Sequence, residues 1–315
     1  MNKVYYIAFL TAFCLLAVST SCEHKHILCP VSEEIDIVFE WNDTSGDGID
    51  GMTLLFYPQE KSGRIWRFDI AGSQGGSVSI PSGTYQMIAC NNDLPGITLE
   101  DTGSPSAIRA SARLELEKGS GVYAGTGMFY CARVSRLEVT PCGVRYVSSE
   151  GTVRECGHNI VRCHADSMAT VFTVRLTDVS GIGRVRSTNV TLHGVSSSML
   201  LESEETPDNP AALSMHMLVN TDDSMLSGQA CAFARADLMD SDYRISLQIV
   251  LTDGTTVIRD IDIKPENLNI ISRHNVLISV NGIVIPDDGS SGDIGGIGAI
   301  VDGWQVIDID LRPTF

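Results

Sequence analysis

The sequence predicts an all-β protein with two β-sandwich domains, and three observations lead to that prediction. Apolar and polar residues alternate along most of the chain, which is the period of a half-buried strand. No extended stretch carries the 3.6-residue apolar repeat of a helix. Only 19% of the 315 residues are charged whereas 29 are glycine, a composition that suits strands and turns better than long amphipathic helices.

Five short strands separated by turn residues open the first domain. Pro81-Ser82-Gly83 is one such turn, with proline suited to its first corner and glycine to a positive φ. Strands of this length and spacing favour a sandwich over βαβ units. The alternation predicts strands at residues 35–42, 52–57, 65–70, 77–80 and 85–90.

The rest of the first domain is less regular. Residues 107–117 fit a helix or a strand, 122–139 carry one or two strands, and 140–167 are predicted to be irregular and rich in cysteine. A domain boundary is expected in that segment, near residue 166. The first domain is therefore predicted to span residues 35–166.

A second β-series follows and defines a domain over residues 167–315. Its strands are predicted at residues 169–176, 189–193, 199–201, 213–219, 229–233, 243–251, 256–263 and 275–285. Asp253-Gly254 is the expected tight turn between two of them.

The last thirty residues have a different composition. Pro286 to Gly298 is rich in Gly, Asp and Ser, which is typical of a flexible linker. Alternation resumes over residues 300–311, so a strand is predicted there on a tether. It can close its own sandwich or add to the sheet edge of another chain, and both options stay open. Its candidate partner-binding residues are Ile300, Trp304, Val306 and Ile309.

The N-terminus predicts export. Lys3 precedes an almost unbroken apolar run from Val4 to Val18, which is too short to span a bilayer and is typical of a cleaved signal peptide. Small residues then lead directly to Cys22, as in a bacterial lipobox, although Ser19 stands where leucine is usual. Residues 1–21 are the predicted signal and 22–34 a lipidated linker, with several acyl chains on Cys22. The alternative is an ordinary signal-peptidase cut with Cys22 incidental.

Charge and motifs exclude several function classes. The net charge of −17 argues against nucleic-acid partners, since phosphate binding needs clustered Lys and Arg. The chain lacks a P-loop, a dinucleotide-binding glycine fingerprint, a zincin motif and a nucleophile elbow. Residues 42–51 have nearly EF-hand spacing, but Leu54 replaces the bidentate glutamate, so a hairpin turn is the better interpretation. No enzyme activity and no cofactor are predicted.

One cluster of residues could bind a metal. Cys156, His158, Cys163 and His164 carry thiolates and imidazoles, which are suitable zinc ligands. Their spacing lacks the paired two-residue knuckles of zinc sites, and adjacent Cys163 and His164 would point to opposite faces of a strand. A Cys156–Cys163 disulfide and incidental thiols are the alternatives. Seven cysteines remain beyond Cys22, an odd number that cannot pair completely.

Several stretches together resemble a known family. They are Phe39-Glu40-Trp41, Gly51-Met52 leading to Phe56-Tyr57-Pro58, Pro81 to Tyr85 ending at Asn91-Asn92-Asp93, and Leu247 to Leu251 followed by Asp253-Gly254. This pattern resembles the fimbrillin-like lipoproteins of the Bacteroides group, including fimbrial anchor proteins. The first half is most similar to a neighbouring lipoprotein family of unknown function.

The resemblance implies two tandem transthyretin-like β-sandwich domains and an outer-membrane lipoprotein, on the surface or on the periplasmic face. It implies assembly by β-strand addition with other fimbrial or surface proteins. Residues 22–63 contain no arginine for proteolytic processing, which favours an anchor, tip or accessory subunit over a polymerising shaft subunit. The alternative function is a glycan- or host-surface-binding lipoprotein with the same anchor.

Overall fold

The strands of the first half of the chain follow the predicted alternation. The computed structural model describes residues 32–41, 46, 48–60, 63–117, 120–148, 153–156, 159–207, 210–235, 242–285, 300–301 and 304–307. The strands up to residue 167 are β1 (Ser32–Trp41), β2 (Gly51–Pro58), β3 (Trp66–Ala71), β4 (Gly75–Pro81), β5 (Gly83–Asn91), β6 (Ile97–Glu100), β7 (Arg109–Ala112), β8 (Glu115–Glu117), β9 (Ser120–Tyr123), β10 (Tyr130–Thr140), β11 (Gly143–Ser148), β12 (Val153–Cys156) and β13 (Ile160–Ser167).

The second half is also made of strands, with two short 3₁₀ helices at Ile182–Arg184 and Pro265–Asn267. Its strands are β14 (Thr170–Thr177), β15 (Val185–Ser196), β16 (Ser198–Leu200), β17 (Pro210–His216), β18 (Leu218–Asn220), β19 (Met225–Ala232), β20 (Arg244–Leu251), β21 (Thr256–Asp262), β22 (Leu268–Ser272), β23 (Asn275–Asn281), β24 (Ile300–Val301) and β25 (Trp304–Ile307). The predicted all-β fold class is confirmed. Among the described residues, neither 3₁₀ helix has the length or the apolar composition of a membrane-spanning segment.

A single curled sheet encloses the inner core of the protein. In the described residues its strands run β3-β2-β5-β10-β13-β1-β4, with β11 and β12 extending from β10. The two ends of this order, β3 and β4, are joined by only residues 72–74, so the sheet must bend back on itself. Gly75 lies at that bend with φ +112°, and an added Cβ would come within 1.9 Å of the Ile37 carbonyl oxygen. Glycine is therefore required there. The enclosed side chains form the inner core, which includes Ile37, Phe56, Val134 and Val161.

The central strands of this sheet are buried on both faces. Leu54 and Phe56 of β2 point into the inner core, while Leu55 and Tyr57 pack into a second core on the other side. Strand β2 is accordingly buried at seven consecutive positions from Gly51. A continuous apolar run with burial on both faces is typical of a strand in the middle of a layered structure.

The second core lies between two further sheets. One runs β24-β25-β21-β20-β15-β17-β9-β8 and the other runs β18-β19-β14-β23-β22 over the described residues. This core contains the completely buried side chains of Leu192 in β15 and Leu247 in β20. From the facing sheet it contains Phe172 in β14 and Ile278 in β23, which are also completely buried. A small sheet, β16-β7-β6, borders it.

The same kind of long-range strand pairing occurs once in each half of the chain. β1 pairs in parallel with β13, and β14 pairs in parallel with β23. In each half an early strand therefore lies beside a late one. Strands from before residue 166 also join the second half, because β9 pairs with β17 and β7 pairs with β16. The boundary near residue 166 remains a prediction.

Two predictions about local structure were wrong. Residues 140–167 are not irregular but contain β11, β12 and β13, because Val144, Tyr146 and Val161 alternate with polar neighbours among the glycine and cysteine residues that obscured the pattern. The predicted hairpin between the first two strands is also wrong, since β1 and β2 belong to one sheet without being neighbours. The curl of the sheet separates them and places β13 and β4 beside β1.

Candidate interaction surface

The C-terminal strands form the edge of the large sheet in the second half. β25 pairs antiparallel with β21, with Val257 opposite Val306 and Arg259 opposite Trp304. β24 folds back on β25, with Ile300 opposite Gln305. Three of the four predicted contact residues, Ile300, Trp304 and Val306, therefore lie in this terminal hairpin. Ile309 lies outside the described residues.

This hairpin offers a backbone edge to a partner. β24 is only two residues long, so within the described chain it pairs with Gln305 and Trp304 of β25 and leaves the rest of that strand's outer side without a ladder partner. The N–H and C=O groups of an edge strand are a template for pairing with another chain. Val257 and Thr256 of the underlying strand β21 are buried, which fixes the position of that strand in the sandwich.

A second edge carries exposed apolar side chains. β18 ends the smaller sheet, and its Leu218 side chain is 68% exposed beside Val219. At the opposite end of the same sheet, Ile271 of β22 is 61% exposed. The alternation over residues 213–219 predicts a single strand, so this edge was not predicted from the sequence. Met217, which is buried, separates β17 in one sheet from β18 in the other.

The candidate metal ligands are not brought together in the part of the chain that the structure describes. Cys163 is buried in the inner core, with its Sγ 3.8 Å from the Val38 carbonyl oxygen, and burial raises the pKa of its thiol. The Nε2 atom of His164 lies 3.2 Å from a carboxylate oxygen of Glu40. Cys156 is in β12, whereas His158 and Cys22 lie outside the described residues. Within those residues, no three His, Cys, Asp or Glu side chains are grouped as a metal site.

Two more cysteines, Cys90 and Cys131, are opposite each other on β5 and β10 as free thiols. Both are completely buried. Burial raises the pKa of both thiols, that of Cys131 to about 12. Buried thiols with raised pKa values are inert packing groups.

A charged cleft lies where the two halves of the chain meet. Glu204 accepts hydrogen bonds from Arg133 of β10 and from Arg273, the latter at 2.5 Å between Nη2 and Oε2. Burial alone would raise the pKa of the Glu204 carboxyl, but the hydrogen bonds and charges of the two arginines outweigh it and lower that pKa. Burial, together with the charge of Arg273, lowers the pKa of His274. These residues come from distant segments, so no local sequence signal identifies them.

Comparisons with known proteins agree with the architecture. A family model described as "Domain of unknown function (DUF5119)" matches residues 21–216. A Bacteroides ovatus protein named as a candidate fimbrium anchoring subunit, Fim4B, is 29% identical over 105 residues, which are 32% of this chain and 31% of that protein. The aligned segment thus spans about a third of this relative's length.

Two solved structures share the fold. A candidate adhesin from Bacteroides ovatus superposes with a TM-score of 0.59 at 16% identity, covering 85% of this chain and 99% of the other. The fimbrial anchor protein Mfa2 from Porphyromonas gingivalis gives a TM-score of 0.50 at 10% identity, covering 79% of this chain and 90% of the other. At these identities the similarity establishes the fold.

Proposed function

The chain belongs to the DUF5119 family, and from that premise we propose that it is a non-enzymatic anchor, tip or accessory subunit of a fimbria-like surface fibre. It is held at the outer membrane by acyl chains on Cys22 and contacts its partners by β-strand addition. The fimbrial names of the relatives support this role, since one is a candidate fimbrium anchoring subunit and another is a fimbrial anchor protein.

The observation that carries the proposal is the terminal hairpin at the sheet edge. β24 and β25 add to β21 after a segment rich in glycine and aspartate, residues 286–299. In strand addition, main-chain hydrogen bonds give affinity and alternate side chains give specificity. Ile300, Trp304 and Val306 are therefore the proposed contact residues of this hairpin, and Ile309 belongs to the same predicted strand.

Deleting residues 299–315 tests the contact. The variant should keep the strand content of the wild type by circular dichroism, because the cores are made by other strands. It should lose co-purification with fibre proteins from membranes of the native cells. Retention of the same partners by the folded variant would refute the role of the hairpin in binding. Unfolding of the variant would also count against that role, because it would show that the hairpin is needed to complete the chain's own sheet.

A point substitution tests the strand pairing of β25 without shortening the chain. Val306→Pro removes one backbone donor and disrupts the ladder of β25, since proline cannot donate to a sheet. Val306→Thr keeps the donor and a β-branched side chain and is the matched control. Partner capture should fall with the proline variant and persist with the threonine variant.

Attachment at Cys22 is tested by intact mass of the mature protein extracted from membranes. The expected mass corresponds to a chain beginning at Cys22 with acyl chains attached, and Cys22→Ser should release the protein from the membrane fraction. An unacylated mature chain would exclude the lipid anchor while leaving the hairpin experiments valid.

A further inference from the structure

Two cysteines lie opposite each other in the middle of the curled sheet. Cys90 is in β5, and its cross-strand partner in the antiparallel strand β10 is Cys131. Both side chains are completely buried in the second core, so they point to the same face of the sheet. The two thiols are close enough that the charge of Cys131 raises the pKa of Cys90. The two sulfur atoms are therefore neighbours in an apolar environment.

Backbone hydrogen bonds show in which direction the Cys131 main chain points. In an antiparallel sheet, the N–H and C=O groups of successive residues point to opposite neighbouring strands. The Tyr130 N–H donates to Asn91 Oδ1 at 2.8 Å and thus faces β5, so the backbone of the next residue, Cys131, faces β13. The Phe129 carbonyl oxygen accepts from the Met168 N–H at 2.7 Å, on that same β13 side.

The backbone of Cys90 also faces away from its partner. The Asn92 N–H donates to the Gly51 carbonyl oxygen at 3.1 Å and thus faces β2, as does Cys90 two residues earlier. The two cysteines therefore form a non-hydrogen-bonded pair, the type in which the Cα atoms are about 4.5 Å apart. A disulfide needs a Cα separation of about 4.4–6.8 Å and side chains that do not diverge. This pair meets both requirements.

The pair stands at the base of the segment that connects the two halves of the chain. The chain leaves the curled sheet after β5, forms β6 to β9, and returns at β10. Within this segment β7 pairs with β16 and β9 pairs with β17, both in the second half. The Asn91 side chain already links the two ends, since its Nδ2 donates to the Met128 carbonyl oxygen at 3.2 Å. A bond between the cysteines would close the same loop covalently.

We propose that Cys90 and Cys131 form a disulfide when the chain folds after export, and that this bond cross-links the two ends of the β6–β9 segment. The inference rests on export of the chain and not on its role in a fibre. Exported proteins fold in oxidising compartments, where disulfides form and persist.

The oxidant is the disulfide of an oxidised thiol–disulfide oxidoreductase. The thiolate of one cysteine attacks that disulfide and forms a mixed disulfide, which the thiolate of the second cysteine then displaces. The two cysteines lose two electrons and two protons, and the oxidoreductase leaves as a dithiol that has gained both.

The bond has to form before the second core closes. In the folded, reduced protein both thiols are buried and their pKa values are raised, so thiolates are scarce and the oxidant has no access. Oxidised glutathione added to folded, reduced protein should therefore react far more slowly than the same reagent added during refolding.

Peptide mapping without reduction tests the bond. Protein from native cells is extracted in denaturant with iodoacetamide, which alkylates every free thiol, and is digested with trypsin. Trypsin releases Cys90 in the peptide of residues 68–109. It releases Cys131 in the peptide of residues 119–133, and neither peptide contains another cysteine. The expected product is the two peptides joined, with a mass lower than their sum by two hydrogen atoms. Separate peptides with both cysteines alkylated would overturn the proposal.

Refolding in reduced and oxidised glutathione separates the geometry of the pair from the export of the chain. The purified protein should yield the same joined peptides, and separate alkylated peptides would overturn the pairing itself. Joined peptides after refolding but not from native cells would overturn the bond in the cell. Neither result bears on the terminal hairpin, whose experiments stay valid.

The melting temperature tests the cross-linking role. Closing a loop of this length should raise the melting temperature by about 5–10 °C over that of the reduced protein. Cys131→Ala should abolish the rise, each variant being compared with its own reduced form. Cys163→Ala is the matched control and should keep the rise, because Cys163 is equally buried but lies in the inner core. A full rise in folded Cys131→Ala protein would overturn the assignment, and no rise in the wild type would overturn the cross-linking role.

Discussion

The two cores of this protein are built differently. The inner core is enclosed by one sheet that curls until its two ends meet at the β3–β4 corner. Three central strands of that sheet, β2, β5 and β10, also pack side chains from their outer face into the second core. The second core lies between two separate sheets, and strands such as β20 are buried on alternate residues only. In this chain, a continuous apolar run therefore marks a strand between two layers, whereas alternation marks a strand with one face in solvent.

The largest expected loss of stability comes from substituting the consecutive leucines of β2. Leu54→Ala and Leu55→Ala should each lower the free energy of unfolding by about 2–5 kcal/mol, because both side chains are buried, on opposite faces. In β20, Leu247→Ala should cost a similar amount, whereas Gln248→Ala should change it by less than about 0.5 kcal/mol because Gln248 is exposed. Urea unfolding measures all four variants. A cost for Leu55→Ala as small as that for Gln248→Ala would contradict burial of the outer face.

The next effect concerns the corner that closes the curled sheet. Gly75→Ala forces a side chain into a positive φ, which costs about 1–3 kcal/mol, and adds a clash with the Ile37 carbonyl oxygen. Gly254→Ala is the matched control, since its φ is +91° but no atom lies within 4 Å of the added carbon. Thermal melting should show a clearly larger loss of stability for Gly75→Ala. Equal losses would mean that the close approach of β4 to β1 is not needed.

The smallest expected effect is a pH dependence of the free energy of unfolding, caused by Glu204, which pairs with Arg133 and Arg273. The pKa of Glu204 is lowered in the folded protein, so its contribution to stability is present above the ordinary pKa of 4.5 and is lost as the pH falls through the folded value. Glu204→Gln should remove that contribution. The difference in urea midpoint between wild type and variant should therefore shrink as the pH is lowered from 6 to about 3. A difference that stays constant with pH would assign the effect to packing.

Most strands of this protein, and one of its tight turns, were determined by the sequence alone. Period-two alternation predicted strands such as Ile35 to Trp41 and Tyr243 to Leu251, and the Asp253-Gly254 turn between β20 and β21. Turn residues and alternation act over a few neighbours, so a single sequence carries them fully. Strands β11 to β13 were missed because glycine, serine and cysteine weaken the contrast between buried and exposed positions.

The choice of which strands become neighbours depends on the tertiary structure. Nothing near Ile37 indicates that β1 pairs with β13 more than a hundred residues later, or that the second half repeats this with β14 and β23. The same holds for the cleft, where Arg133, Glu204 and Arg273 converge from three distant segments. The physical reason is that alternation fixes which face of a strand is apolar, whereas the partner of that face is chosen by long-range packing, and closing a long loop costs little more entropy than closing a short one.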